Sequence, residues 1–164
     1  MVPPFLAYWG VYSNETAYIR EAVAQVILYR KSLITRSEGR DKGLWYHILG
    51  ADKEDRGYWS TSNGWMAAGM ARVVATMQHW EPCWEDHSHQ RLLMIEYIQE
   101  IVNAAIAVDD DRETGLLRNY LNDDSWFGET SGTALLASVV YRMAILAPDP
   151  VSYTHLTLPT NREV

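Results

Sequence analysis

Residues 58–65 read YWSTSNGW and open directly into an Ala- and Gly-rich stretch, MAAGMARVVATM. A hydrophobic core needs rings such as Trp59 and Trp65, but it does not need Ser60, Thr61, Ser62 and Asn63 between them. A pocket for a polar, ring-shaped ligand needs both. The rings would cover a C–H face while the amide of Asn63 and the hydroxyls meet polar edges. The stretch also begins a helix, whose free backbone N–H groups favour an anion. The competing reading makes both tryptophans core residues and Ser62 or Asn63 a helix N-cap.

Other residues carry weaker signals. His47, in GLWYH, has a donor and an acceptor to offer a ligand, although a histidine is as often a half-buried, satisfied residue. Glu129 precedes a helix start, where an acid either faces a pocket or complements the helix dipole. The stretch HWEPCWEDHSH (79–89) brings His79, Cys83, His87 and His89 together, but fits no closed zinc pattern and reads as a solvated turn. AVDDDRET (107–114) lacks the glycine and terminal glutamate of a calcium loop and reads as an exposed loop. Asn14-Glu15-Thr16 is either a glycosylation sequon or a helix cap.

Apolar periodicity predicts four helices to position these groups. The first follows Ser13 and Asn14 and runs to about Thr35; the second runs from near Asn63 to about His79. The third spans about Asp86 to Val108, and the fourth begins near Ser131 and carries Leu135, Val139, Met143 and Leu146. No run of strands is evident, so the fold class is all-α. The loops repeat. GLWYHIL, an acidic turn, Trp59 and STSNG precede one helix; GLLRNYL, an acidic turn, Trp126 and FGETSG precede another, about 70 residues later. Helical repeats of this kind stack because no single unit covers its own apolar face. The short link at Pro82 makes the second and third helices antiparallel neighbours, so long loops gather at one end, where function is expected. The second helix, with Ala67, Ala68, Gly69, Ala71 and Ala75, suits an inner position approached by several neighbours.

The 164 residues fit one domain able to bury a core. Seven Trp and ten Tyr against two Phe favour half-wet aromatic surfaces. A net charge of −7 argues against nucleic-acid and anionic-membrane partners. The lone Cys83 excludes an internal disulfide. No apolar run reaches spanning length, and the opening MVPPFLAYWGVY resembles the inside of a domain, with no signal peptide before the first helix.

The order MVPPFLAYWG, GLWYH, YWSTSNGWMAAGM and ETSGTALLASVVYRMA resembles family 105 of the glycoside hydrolases, above all its fungal members, over residues 1–147. These are unsaturated rhamnogalacturonyl hydrolases, related to the unsaturated glucuronyl hydrolases of family 88. The resemblance implies part of an (α/α)6 barrel, a six-hairpin glycosidase-like toroid, with its site at the long-loop end. It implies an oligosaccharide substrate bearing a 4,5-unsaturated uronic acid, and no metal or cofactor. An aspartic acid protonates the vinyl ether, and water adds at C5. By the family's Asp-x-x-x-Met motif that Asp falls four residues before Met1, outside this sequence, so the fragment alone is expected to be inactive. The same resemblance implies substrate-binding roles for His47, Trp59 and Trp65, with Asn63 meeting the sugar's polar edges. Thr61 stands where many bacterial members carry Arg, which removes a cation for the uronate.

The stretch VSYTHLTLPT (151–160), back-translated, matches a transposase-based sequencing adapter. Residues 1–150 are therefore read as partial barrel and 151–164 as not native. Oligomeric state is not legible. A fungal origin would favour secretion, and a bacterial one the cytoplasm. Two other readings stay open: a sugar-binding barrel without catalysis, and a helical-repeat interaction module.

Overall fold

The computed structural model describes residues 2–84, 87–108 and 114–148; the AVDDDRET loop falls mostly outside these, and the 151–164 tail entirely so. Five α-helices make up most of it: α1 (Val2–Ser13), α2 (Ala17–Leu33), α3 (Ser60–His79), α4 (Ser88–Val108) and α5 (Thr130–Leu146). The only sheet among the described residues is a two-stranded hairpin, β1 (Ile48–Leu49) and β2 (Glu54–Asp55). The four expected helices are α2 to α5, with ends displaced by up to three residues from the expected ones.

Helix α1 was not anticipated. Pro3 and Pro4 fall in the first turn, where no intrahelical partner awaits their missing N–H groups. Its Phe5, Trp9 and Tyr12 contact one another along one face, with ring centroids 6.4 and 5.3 Å apart. Asn14, with φ of 58°, ends α1: its N–H donates to Val11 O and the Glu15 N–H to Gly10 O at 2.9 Å. That is a Schellman closure, so Asn14 caps the helix before it rather than the one after.

Helix α3 is the hub. Its small residues, Gly64, Ala67, Ala68, Gly69 and Ala71, are buried, and it packs against α1, α4 and α5. At one end the Thr61 hydroxyl lies 2.8 Å from that of Ser131; at the other Gln78 Nε2 donates to Leu146 O at 2.6 Å. Helices α3 and α5 therefore run parallel. Helix α1 runs the same way, with Pro3 and Pro4 beside Trp65 and Met66, and Tyr12 beside His79 and Trp80. Helices α2 and α4 return on the outside, where Arg30 joins Glu100 at 2.5 Å and stacks over Tyr97. Alternating inner and outer helices form an arc whose end helices expose apolar side chains, Tyr12 and Ile145 each being 81% accessible.

In the 79–89 turn His79, Glu81, Pro82, Trp84 and His89 are exposed, as expected of a solvated turn, but two residues are not. The short 3-10 helix Glu81–Cys83 tucks Cys83 into the core, and His87 is also buried.

Close approach of α3 and α5 requires a bare backbone at Gly132, where a Cβ would lie 2.8 Å from Ser60 Cβ. Gly132→Ala should therefore destabilise the chain by about 1–3 kcal/mol, because overpacking outweighs the gain of about 1 kcal/mol in helix propensity. The midpoint of urea unfolding reads this directly, and an unchanged or higher midpoint would contradict the close crossing.

Candidate active site

Two long loops meet at the end where the inner helices begin. In the first, residues 34–59, the chain folds back on itself: Thr35 N–H donates to Leu44 O, and Tyr46 N–H to Leu33 O at 2.8 Å. The glycine of each Gly-Leu motif is left-handed, Gly43 at φ 105° and Gly115 at φ 68°, which explains why that glycine repeats. The β1–β2 hairpin then pairs Ile48 with Asp55 and returns Asp55 to the side of His47. The second loop joins the first by backbone bonds: Ser60 N–H to Asn119 O and Leu121 N–H to Tyr58 O. Trp59 and Tyr120 are thereby set opposite each other in a short antiparallel bridge.

This bridging assembles a cluster from both repeats. His47 Nδ1 lies 2.9 Å from Asp55 Oδ2 and 3.1 Å from the Tyr120 hydroxyl, and that hydroxyl donates to the same Asp55 oxygen at 2.5 Å. The His47 ring packs 4.7 Å from Trp59, whose indole N–H is held by Asn119 Oδ1. Tyr120 continues to Trp126, 5.1 Å away, along a cleft of about 460 Å³ lined by Asp55, Gly57, Tyr120, Asn122, Asp123 and Trp126. Gly57 has no side chain because the Tyr120 ring occupies that space.

The Tyr120 hydroxyl, then His47, hold the Asp55 carboxyl at a pKa of about 2 against the opposing effect of burial. Burial, then the hydrogen bond and charge of Asp55, push Tyr120 up to about 12. Around neutrality Asp55 is thus an ionised acceptor and Tyr120 a neutral donor, so Asp55 is unsuited to deliver a proton. Glu129 is unsuited too. Burial would raise it, but hydrogen bonds from Ser131, Gly132 and Thr61 prevail and leave its pKa lowered. It caps α5 through the Ser131 and Gly132 N–H groups and receives Thr61 Oγ1 at 3.1 Å from α3. The dipole reading of Glu129 therefore holds, and Thr61 is a tie between helices.

The structure places the four expected residues differently. His47 and Trp59 come together. Trp65, 43% exposed, lies on the α1 side of α3, in a separate cleft of about 330 Å³ with Val2, Pro3, Pro4 and Tyr29. Asn63 is fully buried: its Oδ1 accepts from Trp45 N–H, and its Nδ2 donates to Trp45 O and Trp59 O. Its polar groups are committed to holding the first loop on α3, which corrects the expected contact with sugar. Asp55, Tyr120 and Trp126 were not singled out. The repeat held a clue, since Tyr120 lies one position beyond the counterpart of His47 in the second Gly-Leu motif.

The site is thus an aromatic cluster around one ionised carboxylate, at the loop end of an arc of helical hairpins. The sequence matches Glycosyl Hydrolase Family 88 over residues 1–146, and the chain belongs to that family. Similar solved structures include a possible member of family 105 from Salmonella enterica serovar Paratyphi A, with TM-score 0.73, 21% identity, and coverage of 92% of this chain and 38% of that one. A family 105 glycoside hydrolase of C. acetobutylicum gives 0.74, 17%, 93% and 43%. A polysaccharide lyase gives 0.71, 17%, 95% and 43%. No curated protein sequence matches. The chain thus spans about two fifths of the length of these solved relatives, and their likeness extends to the all-α toroidal fold.

Two outcomes follow. Asn63→Ala leaves the buried Trp45 N–H without its partner and should cost about 2–4 kcal/mol in guanidinium unfolding. A loss below about 0.5 kcal/mol would show that Asn63 does not hold the loop. Asp55 should titrate near 2 by side-chain carboxyl NMR, and Tyr120→Phe should move it up toward the ordinary value of about 3.9. Its stabilisation is present above that ordinary value and lost as pH falls through 2. A midpoint unmoved by Tyr120→Phe would contradict the hydrogen bond.

Proposed function

We propose that the whole protein hydrolyses oligosaccharides ending in a 4,5-unsaturated uronic acid, of the rhamnogalacturonan type, by acid-catalysed hydration of the vinyl ether. Family membership supports a glycoside hydrolase, and the observation that favours this site is the His47–Trp59–Tyr120 cluster, where an aromatic face adjoins hydrogen-bonding groups. In this reading Trp59 lies against the sugar's C–H face and His47 bonds a hydroxyl. Trp65, in its own cleft on the α1 side, would meet a different part of the oligosaccharide. The acid is the Asp expected four residues before Met1. The start of α1, at Val2, Pro3 and Pro4, lies beside Trp65. A barrel that binds sugar without hydrolysing it is the second reading. It is favoured by Thr61, which is 8% exposed and tied to Glu129 and Ser131, and so supplies no cation to the uronate.

The test follows the ultraviolet absorbance of the double bond in the full-length protein. A hydrolase consumes the unsaturated uronyl group, so absorbance falls with unsaturated rhamnogalacturonan disaccharide. A lyase creates that group, so absorbance rises with saturated polymer, and a binding-only barrel leaves both unchanged. Trp59→Ala should lower kcat/KM by about tenfold or more, roughly 1.4 kcal/mol of transition-state binding. Either of the last two absorbance results, or full activity in Trp59→Ala, would overturn the proposal.

A further inference from the structure

For a neutral His47, the triangle it forms with Asp55 and Tyr120 has one consistent arrangement of protons. Asp55 is ionised and can only accept, and its Oδ2 receives the Tyr120 hydroxyl at 2.5 Å. That bond takes the single proton of Tyr120. The 2.9 Å contact between Asp55 Oδ2 and His47 Nδ1 must then carry a hydrogen that belongs to the imidazole. The opposite tautomer would set a bare nitrogen lone pair against a carboxylate oxygen. The longer contact, 3.1 Å from Nδ1 to the Tyr120 oxygen, lets the same N–H be shared with a second acceptor. Among the described residues the other ring nitrogen, Nε2, has no hydrogen-bond partner, and it belongs to a side chain that is 25% accessible.

We infer that Asp55 and Tyr120 are positioning residues that hold His47 as its Nδ1–H tautomer and present Nε2 as a bare acceptor for a sugar hydroxyl. The sugar in that statement rests on the proposed function; the tautomer does not. Both partners are fixed by backbone. Asp55 sits in β2 opposite Ile48, and its Oδ1 accepts from Gly57 N–H at 2.9 Å. Tyr120 is pinned by its bridge to Trp59. The protonation pattern of a histidine in the first repeat is therefore set in part by a tyrosine of the second. An imidazole held this way selects for a donor in the ligand and disfavours an ether or carbonyl oxygen at the same place. An orienting carboxylate behind a histidine works by the same logic in serine proteases, where its amide replacement keeps the geometry but installs the wrong tautomer.

The test is a long-range proton–nitrogen NMR correlation on the chain labelled with 15N-histidine, at a pH about two units above the ordinary histidine pKa of about 6.5. The chain has five histidines, and His47→Gln identifies the signal of interest by its loss. Wild type should show a protonated Nδ1 and an unprotonated Nε2. Asp55→Asn can keep the Gly57 contact through its oxygen and turn its NH2 group to Nδ1, so the tautomer should invert to Nε2–H while the other histidine signals stay in place. A wild-type Nε2–H pattern would overturn the inference whether or not the variant folds, as would an Asp55→Asn spectrum identical to wild type. In the full-length protein, Asp55→Asn should weaken binding of the unsaturated disaccharide by about tenfold, the worth of one hydrogen bond of about 1.4 kcal/mol. If the wild-type tautomer is Nδ1–H but no sugar binds, the positioning stands and the proposed function fails. An inverted tautomer with undiminished sugar binding would overturn the role of Nε2 as acceptor.

Discussion

Everything at the loop end depends on how closely α3 and α5 can run side by side. Parallel helices repel at their like-charged ends, and their first-turn N–H groups lack intrahelical partners. Glu129 meets both problems at once. Its carboxylate takes the Ser131 and Gly132 N–H groups of α5 and reaches the Thr61 hydroxyl of α3. Small residues at the crossing let the two helix starts approach, with Gly64 against Leu135 and Gly132 against Ser60. The spacing so fixed is what allows Trp59, just before α3, to bridge Tyr120 in the loop that leads to α5.

The chemistry of the site follows from that bridge. A hairpin of two-residue strands is too short to be stable by itself, yet β1–β2 places Asp55 within hydrogen-bond reach of His47. It is held because His47 N–H donates to Gly57 O and because Tyr120, from the other repeat, closes over Gly57 onto the Asp55 carboxylate. One ionised carboxylate thus orders a histidine and a tyrosine, and the resulting surface is rich in rings. Such a surface suits stacking and hydroxyl recognition.

Much of this was legible in the sequence, and the remainder was hidden for identifiable reasons. The periodic helices α2 to α5 and the 70-residue repeat follow from apolar spacing and from recurring Gly-Leu and Ser/Thr-x-Gly signatures. Helix α1 escaped because it is apolar on nearly every side, which removes the period. Trp59 and Trp65 looked like a pair because they bracket a helix start; helical rotation sends them to different clefts. Asn63 looked like a ligand contact because sequence cannot show that Trp45 folds back onto it. Asp55 sat unremarked in an acidic turn, and only the cross-repeat approach of Tyr120 separates it from Asp52, Glu54 and the other acids there.

Fusion of the two repeats through one hydrogen-bonded cluster requires that His47 and Tyr120 be energetically coupled. A double-mutant cycle between His47→Gln and Tyr120→Phe, read in the free energy of denaturant unfolding, tests it most directly. Residues that share a network should couple by about 0.5–3 kcal/mol. Effects that add to within about 0.3 kcal/mol would mean that the two residues are neighbours without being partners, and the account of a site shared between repeats would be wrong.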